Sequence, residues 1–366
     1  MKKRRIAIAS TLKPVDDTRL FEKLGQSLAL LENCDVFIIG FPSKRQPAHA
    51  HITFLPLRPF KRLSLARWWS PLKIHQKIRE VKPELLIVNT HELLIVALAN
   101  RIFFGTRIVY DIQENYFRNI IWTTAFPVWL RYPLAGWVRL KERLLAPFFH
   151  GLFLAEKCYQ HELSFARKGW VLENKCKLPE GFVRTPDANS CQLLFTGTIA
   201  ESTGIFQAIE WADQLYAVDE KVTLKIVGYC AQRSVLDKVR SLIQSRPFVE
   251  LIGGDALVPH DRVMQAIQEA NFGIICYPHS PHTENRVPTK FYEYLAAQLP
   301  VLAQPDASWS QQILQTKAGV LVDFHSTTPE QLLHQMKSGA FFGTPTSDFE
   351  WRSEEPKLLQ AVESLL

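Results

Sequence analysis

Short apolar runs, each the length of one buried strand, alternate with longer stretches of helical periodicity along this 366-residue chain, in two separate series. In the first series residues 5–10, 35–40, 85–89, 107–111 and 152–155 read as strands, with helices expected over about 19–31 and 93–103. A polar, loop-like stretch at 173–190 interrupts the pattern. It restarts with strand candidates at 192–196, 223–227, 249–253, 273–277, 300–303 and 319–322. Strands alternating with helices build parallel sheets covered on both faces. Two series imply two doubly wound α/β domains rather than one large sheet or an eight-fold barrel, and the length suits two domains. Ligands of such sheets bind beyond the carboxyl ends of the strands, so the loops there are where function is sought. No internal repeat or low-complexity tract is visible.

Composition narrows the partners. Hydrophobic residues make up 47% and charged residues 22%, a globular balance that excludes a disordered chain. The 43 Lys and Arg exceed the 36 Asp and Glu, which favours an anionic partner: a phosphorylated ligand, nucleic acid or an acidic membrane face. The six cysteines, Cys34, Cys158, Cys176, Cys191, Cys230 and Cys276, form no Cys-x-x-Cys pair and match no histidine spacing. They read as reduced thiols of a cytosolic protein, with neither a zinc site nor a disulfide framework. Lys2 to Arg5 look like the charged end of an export signal, but Lys13, Asp16 and Asp17 cut the apolar stretch short. A first buried strand is the expectation there. Arg101, Arg131 and Arg139 interrupt the most apolar segments, so no run reaches the roughly 18 residues that span a bilayer.

Residues 281–303, PHTENRVPTKFYEYLAAQLPVLA, concentrate the chemistry. A strand ending at Tyr277 leads into a polar loop, and Pro288-Thr289 opens a helix to about Ala297. An open helix start at a strand's carboxyl end is an anion site, because free N–H groups and the helix dipole both point at it. Arg286 and Lys290 add positive charge. Glu293, one turn in from Thr289, has the two acceptor oxygens that adjacent ribose hydroxyls require. The alternative is that Glu293 and Lys290 form an ordinary pair on the helix surface.

This segment resembles the donor-binding motif of retaining glycosyltransferases of the group 1 type (family 4), in which Glu, seven residues and a second Glu precede a small-residue helix and a Gly-x-Pro-Val strand. Glu293 matches the second acid, and Gln298-Leu299-Pro300-Val301 the strand entry. The resemblance spans nearly the whole chain. Asp17 to Lys23 resemble the first loop and helix of one branch, and Tyr110-Asp111-Ile112-Gln113-Glu114 its Asp-x-His-Glu loop. Val171-Leu172-Glu173-Asn174 is similar to the linker signature, Phe195-Thr196-Gly197-Thr198 to the first strand and turn of the second domain, and Leu224 to Gly228 to a later strand. Trp351 with the final helix resembles the segment that crosses back to the first domain. The resemblance implies the GT-B fold, two Rossmann-like domains facing across a cleft. On that reading 1–172 bind the acceptor, 173–190 link, 191–345 bind the donor, and 346–366 pack back on the first domain.

Carried over residue by residue, the resemblance assigns donor binding to Gly197, Thr198, Glu284, Arg286, Pro288, Thr289, Lys290 and Glu293. The position of the first family acid is Asn285, with Glu284 one place out of register. Either Asn285 contacts the sugar as a neutral group, or the loop shifts to bring Glu284 in. Thr198 and Thr203 lie where the family carries Arg and Lys for the diphosphate, which leaves that charge to Lys290, Arg286 and backbone N–H groups. Gln113 stands where many relatives have histidine. In the first domain Asn89-Thr90-His91-Glu92 and Asp111 to Asn115 each follow a strand. Asp111, Glu114 or Glu92, or a neutral His91, would orient the acceptor hydroxyl. His91 and Glu92 also fit an inert helix start. Asp17 and Arg19 would meet the acceptor or pair with each other to hold their loop.

Two basic, aromatic segments remain. Residues 58–82 carry Arg58, Lys61, Arg62, Arg67, Lys73, Lys77, Arg79 and Lys82 with Phe60, Trp68 and Trp69; residues 126–149 carry Trp129, Arg131, Trp137, Arg139, Lys141 and Arg143. Both suit an anionic membrane surface, or solvated helix faces with buried aromatics. No nucleic-acid-binding motif accompanies the charge. The expectation is therefore a retaining glycosyltransferase, cytoplasmic and peripheral at the inner membrane face, moving a sugar from a nucleotide-diphosphate sugar to a glycan or lipid-linked acceptor. It requires no metal or other cofactor, and no Asp-x-Asp motif is present. The rivals are a nucleotide-sugar 2-epimerase of the same fold and a non-catalytic scaffold binding nucleotide or protein.

Overall fold

The computed structural model describes residues 3–43, 48–60, 64–122, 126–278, 285–323 and 326–366. It divides into two compact units, Met1–Asn174 with Trp351–Leu366, and Lys175–Glu350.

The first unit holds β1 (Arg4–Pro14), β2 (Cys34–Phe41), β3 (Ile52–Pro56), β4 (Leu85–Val88), β5 (Arg107–Ile112), β6 (Gly151–Leu154) and β7 (Trp170–Val171). Every neighbouring pair is parallel, in the order β3-β2-β1-β4-β5-β6-β7. The chain winds outward from β1 to β3 and returns to β4 on the other side of β1. The winding therefore reverses between β1 and β4, where their carboxyl ends diverge. β4 reads Leu-Leu-Ile-Val, all buried, as a strand covered on both faces must be. Alternation along β1 sends Ile6 and Ile8 into one core, with Leu20, Leu24, Trp351, Leu358 and Val362. Ala7 and Ala9 enter the other, with Ile74, Ile78, Leu94 and Ala97. The last helix, Glu355–Leu365, is thus a core element of the first unit. Trp351 anchors it, its indole N–H donating to Ser27 Oγ at 2.8 Å.

The second unit holds β8 (Cys191–Thr198), β9 (Val222–Tyr229), β10 (Val249–Gly254), β11 (Phe272–Ile275), β12 (Val301–Ala303) and β13 (Gly319–Leu321). It is again all parallel, in the order β10-β9-β8-β11-β12-β13, with the reversal between β8 and β11.

Several elements differ from the sequence expectation. β3 and β7 are short strands at the sheet edges, with little apolar signal. The stretch expected as one helix over 19–31 is π-helical at Thr18–Gly25 and α-helical only at Gln26–Leu28. β11 ends at Ile275 rather than Tyr277, because Cys276 turns to pack on Gly204, its thiol donating to the Gly204 carbonyl at 3.1 Å. Most of the expected linker is fastened to the second unit. Arg184 donates to the carbonyls of Gln298 and Ala270, Thr185 N–H to Gln268, and Cys176 bridges to Glu350. Phe349 packs edge-on against Phe291 at 5.9 Å, so 346–350 stay with the second unit and the return crossing begins at Trp351.

Candidate functional site

At the reversal point of the second sheet, β8 ends in Gly197-Thr198 and β11 gives way to Cys276-Tyr277. Two helices begin beside these ends, Ile205–Tyr216 after β8 and Thr289–Ala296 after β11. Gly204 makes the first approach possible. Its φ is +80°, and a Cβ there would lie 1.8 Å from the Cys276 carbonyl oxygen, so only glycine lets the two chains meet. The second helix starts at Pro288, which is extended and offers no side-chain cap. The Phe291 N–H donates back to the Pro288 carbonyl at 2.9 Å, which closes the first turn.

Lys290 occupies this point. The side chain is buried, and its Nζ has no hydrogen-bond partner among the described residues. The ammonium instead lies 3.7 Å from the Phe195 ring centroid and 5.3 Å from that of Tyr277. Burial pulls its pKa down to about 8, while Cys276 and Glu293 act in the opposite direction. An ammonium held by aromatic faces and lacking an oxygen partner is a built-in receptor for an anion. A Cβ placed on Gly197, whose φ of +94° turns the chain there, would lie 4.0 Å from Lys290 Cε.

The neighbouring residues are less uniform. Glu293 stands 3.6 Å from His260 Nε2, at the start of the His260–Glu269 helix, and is not hydrogen-bonded to Lys290. The surface Glu293–Lys290 pair is therefore absent. Thr198 is exposed, but the Thr203 hydroxyl donates to its carbonyl at 2.8 Å and is spent within the turn. Asn285 is exposed at φ +63°, a left-handed conformation that Asn tolerates. Arg286 and Thr289 are part-buried beside Pro288. Glu284 lies outside the described residues.

The reversal point of the first sheet is polar as well. Thr11, from the end of β1, donates to the Thr90 hydroxyl after β4 at 2.9 Å. Asn89 is buried, and neither its amide nitrogen nor its oxygen has a partner among the described residues. His91 packs edge-on against Tyr116 at 4.7 Å, with Nδ1 3.0 Å from Lys141 Nζ. Burial lowers its pKa to about 4, which makes it a neutral acceptor toward Lys141. Glu92 is paired with Arg67. Glu114 is exposed and accepts from Asn119 at 2.6 Å.

Asp111 and Arg19 depart from their expected roles. Asp111 is fully buried and accepts from Arg19 Nε and Nη2, at 3.0 and 2.6 Å. Arg19 is 1% exposed and gives its remaining reach to the Leu172 carbonyl at 3.0 Å. With both side chains enclosed and mutually satisfied, neither offers a group to an acceptor. Asp17 does not pair with the Arg19 side chain either. It accepts from the Arg19 and Leu20 N–H groups, which fixes the start of the π-helical turn, and its carboxylate pairs with Lys13 at 3.2 Å. Gln113 joins the two ends of this network, donating to Asp111 at 2.6 Å and accepting from Lys13. Among the described residues no group of three or more His, Cys, Asp or Glu side chains could hold a metal ion.

No protein-family model and no curated protein matches the sequence. Solved structures do. The chain superposes on sucrose-phosphate synthase from Thermosynechococcus elongatus with TM-score 0.72 at 15% identity, over 99% of both chains. The fold is GT-B. HepE of Anabaena, solved with UDP and glucose, shares this GT-B fold with TM-score 0.64 at 14% identity, over 98% of this chain and 99% of that one. So does a UDP-N-acetylglucosamine 2-epimerase, described as putative, from Listeria monocytogenes, with TM-score 0.56 at 13% identity over 99% and 96%.

On this GT-B frame, the sequence reading named Lys290 and Glu293 as candidates but not the residues the structure sets around them, Phe195, Tyr277 and Gly204. It gave no role to Lys13, or to Asn89 in the Asn89–Glu92 segment that it placed after a strand. Asn89 had a usable signal, being the first polar residue after the wholly apolar β4. Lys13 had only its local pairing with Asp17, since its other partner, Gln113, is 100 positions away.

Proposed function

We propose that the chain is a glycosyltransferase that takes a sugar from a nucleotide-diphosphate sugar and passes it, with retention, to a glycan or lipid-linked acceptor. The observation that carries this reading is Lys290, a buried ammonium without an oxygen partner among the described residues, where two helix starts converge on a GT-B sheet reversal. The diphosphate would lie on Lys290 and the Thr289 end of its helix, Glu293 would take the ribose hydroxyls, and Asn285 or Glu284 would contact the sugar. As the glycosidic bond breaks, negative charge grows on the leaving phosphate, where a fixed cation and backbone N–H groups stabilise the transition state most. That arrangement supplies the charge a divalent metal would otherwise bring. His91 and Glu114 are the first-unit groups left to orient an acceptor hydroxyl. The proposed location is cytoplasmic and peripheral at a membrane face, as a lipid-linked acceptor would require. No described helix is long and apolar enough to cross a membrane.

A thermal-shift panel with UDP, GDP, ADP, dTDP and CMP tests the donor site. A ligand at about 100 times its Kd stabilises the folded state by about 2.7 kcal/mol. One diphosphate should raise the melting temperature of the parent, and Glu293→Ala and Lys290→Met should each lose most of the rise. A panel without effect would overturn the reading. The anomeric configuration of the product, by NMR, tests retention, and chiral analysis of recovered donor separates transfer from 2-epimerisation.

A further inference from the structure

Two helices, Leu65–Val81 and Leu94–Phe104, cover one face of the first sheet, and a third, Val128–Leu145, reaches the same core through Leu145 while burying Ala135 and Val138 against Ile120. Ile74, Ile78, Leu94 and Ala97 turn inward to Ala7, Ala9 and Val88, with Leu145 beside them. What is left on the outer side is unusual. Of the 21 exposed large hydrophobic residues described, 13 lie in these three helices, so the apolar exposure belongs to this layer and not to the protein at large. Trp68, Phe103 and Trp129 are 82%, 72% and 76% exposed, with Trp69, Ile102 and Trp137 beside them in the same helices. Such a concentration marks a contact surface.

Charge selects its occupant. Residues 64–150 carry twelve Lys and Arg against six Asp and Glu. Among those six acids Asp111, Glu142 and Glu92 are buried or paired inward, leaving Glu80, Glu84 and Glu114 exposed. Lys73 and Arg143 are exposed beside the tryptophans, and Arg79 lies 3.3 Å over the Phe104 ring. Protein interfaces are depleted in lysine at their centres. A lipid surface asks for tryptophan at the headgroup boundary with lysine and arginine against anionic phosphates.

We propose that the outer face of this three-helix layer docks flat on an anionic bilayer, without insertion of any helix across it. The Leu65–Val81 and Val128–Leu145 helices form two parts of that face, and the Leu94–Phe104 helix, with Ile102 and Phe103, supplies the third; Lys61 and Arg62 of the basic sequence segment lie outside the described residues. This deepens the transferase reading, since it names the surface on which a lipid-linked acceptor would be met.

Co-sedimentation of the full chain with vesicles tests it. The protein should pellet with equal parts of phosphatidylglycerol and phosphatidylcholine and stay in solution with phosphatidylcholine alone. Lys73→Ser and Arg143→Ser should each lower the partition about fivefold, and Trp68→Ser with Trp129→Ser should lower it further. Quenching of the parent's tryptophan fluorescence by brominated phosphatidylglycerol gives the same answer without any variant. Equal binding to neutral vesicles, no binding to either, or variants that bind like the parent would each overturn the proposal. So would a dimer, seen by sedimentation equilibrium, that the tryptophan variants dissolve while the parent ignores vesicles. The assay contains no nucleotide. Loss of pelleting with diphosphate binding intact rejects the surface alone, and the converse rejects the donor site alone.

Discussion

Lys290 shows how much a single residue owes to its surroundings. A lysine one turn before a glutamate is ordinary in sequence, and its charge there made it a candidate partner for phosphate. Its burial on Phe195 and Tyr277 was not, because those residues come from two other segments. Burial lowers its pKa to about 8, below the ordinary lysine value, and this sets two opposite trends with pH. In the free protein the buried cation is costly, and the unfolded chain binds the proton more tightly. Stability therefore rises as pH climbs through about 8 and levels off near the unfolded lysine value. Diphosphate binding needs the charged form. Its affinity should fall about tenfold per unit above that pKa, and Lys290→Met should abolish the slope. Calorimetric titration of the responding diphosphate at pH 7, 8 and 9 checks both. Flat affinity in the parent would remove Lys290 from the anion site.

The same logic at the scale of elements reassigns Asp111. Its position at the end of β5, after a strand and in a polar loop, suggested a group facing a ligand. The structure instead uses it to join β5 to the π-helical Thr18–Gly25 through Arg19, which also reaches the carbonyl of Leu172 just after β7. Sequence pattern marks strand ends, yet it does not say which way a carboxylate turns once a guanidinium 92 residues away is within reach. Removing one partner of a buried pair strands the other charge, at a cost of about 3–5 kcal/mol. Asp111→Asn should lose about that much in urea-induced unfolding. Arg19→Met with Asp111→Leu should recover most of it, since no charge is then left unpaired. An Asp111→Asn protein of parental stability that fails to turn over would instead restore the residue to the reaction.

Across the whole molecule, the two units are unequally continuous in sequence. Lys175–Glu350 is one uninterrupted segment with its own cores, whereas the first unit needs Trp351–Leu366 returned from the far end of the chain. Residues 175–350 expressed alone should fold and bind the same diphosphate as the full chain. Residues 1–174 alone should be loosely packed by near-UV circular dichroism and should tighten when a 351–366 peptide is added, because Trp351, Leu358 and Val362 fill their core. Strong near-UV ellipticity without the peptide would refute that dependence. By itself the sequence determined two parallel α/β sheets, the strands at their centres and the acid–base character of the 285–293 segment. Those features follow from local periodicity and from helix-start chemistry, which neighbouring residues specify between them. Only the tertiary structure decided that Lys290 is enclosed with no oxygen partner among the described residues, that Asp111 belongs to Arg19, and that the aromatics of three helices point outward. Burial and pairing depend on which distant segments meet, as Arg19 and Asp111 do across 92 positions of the chain.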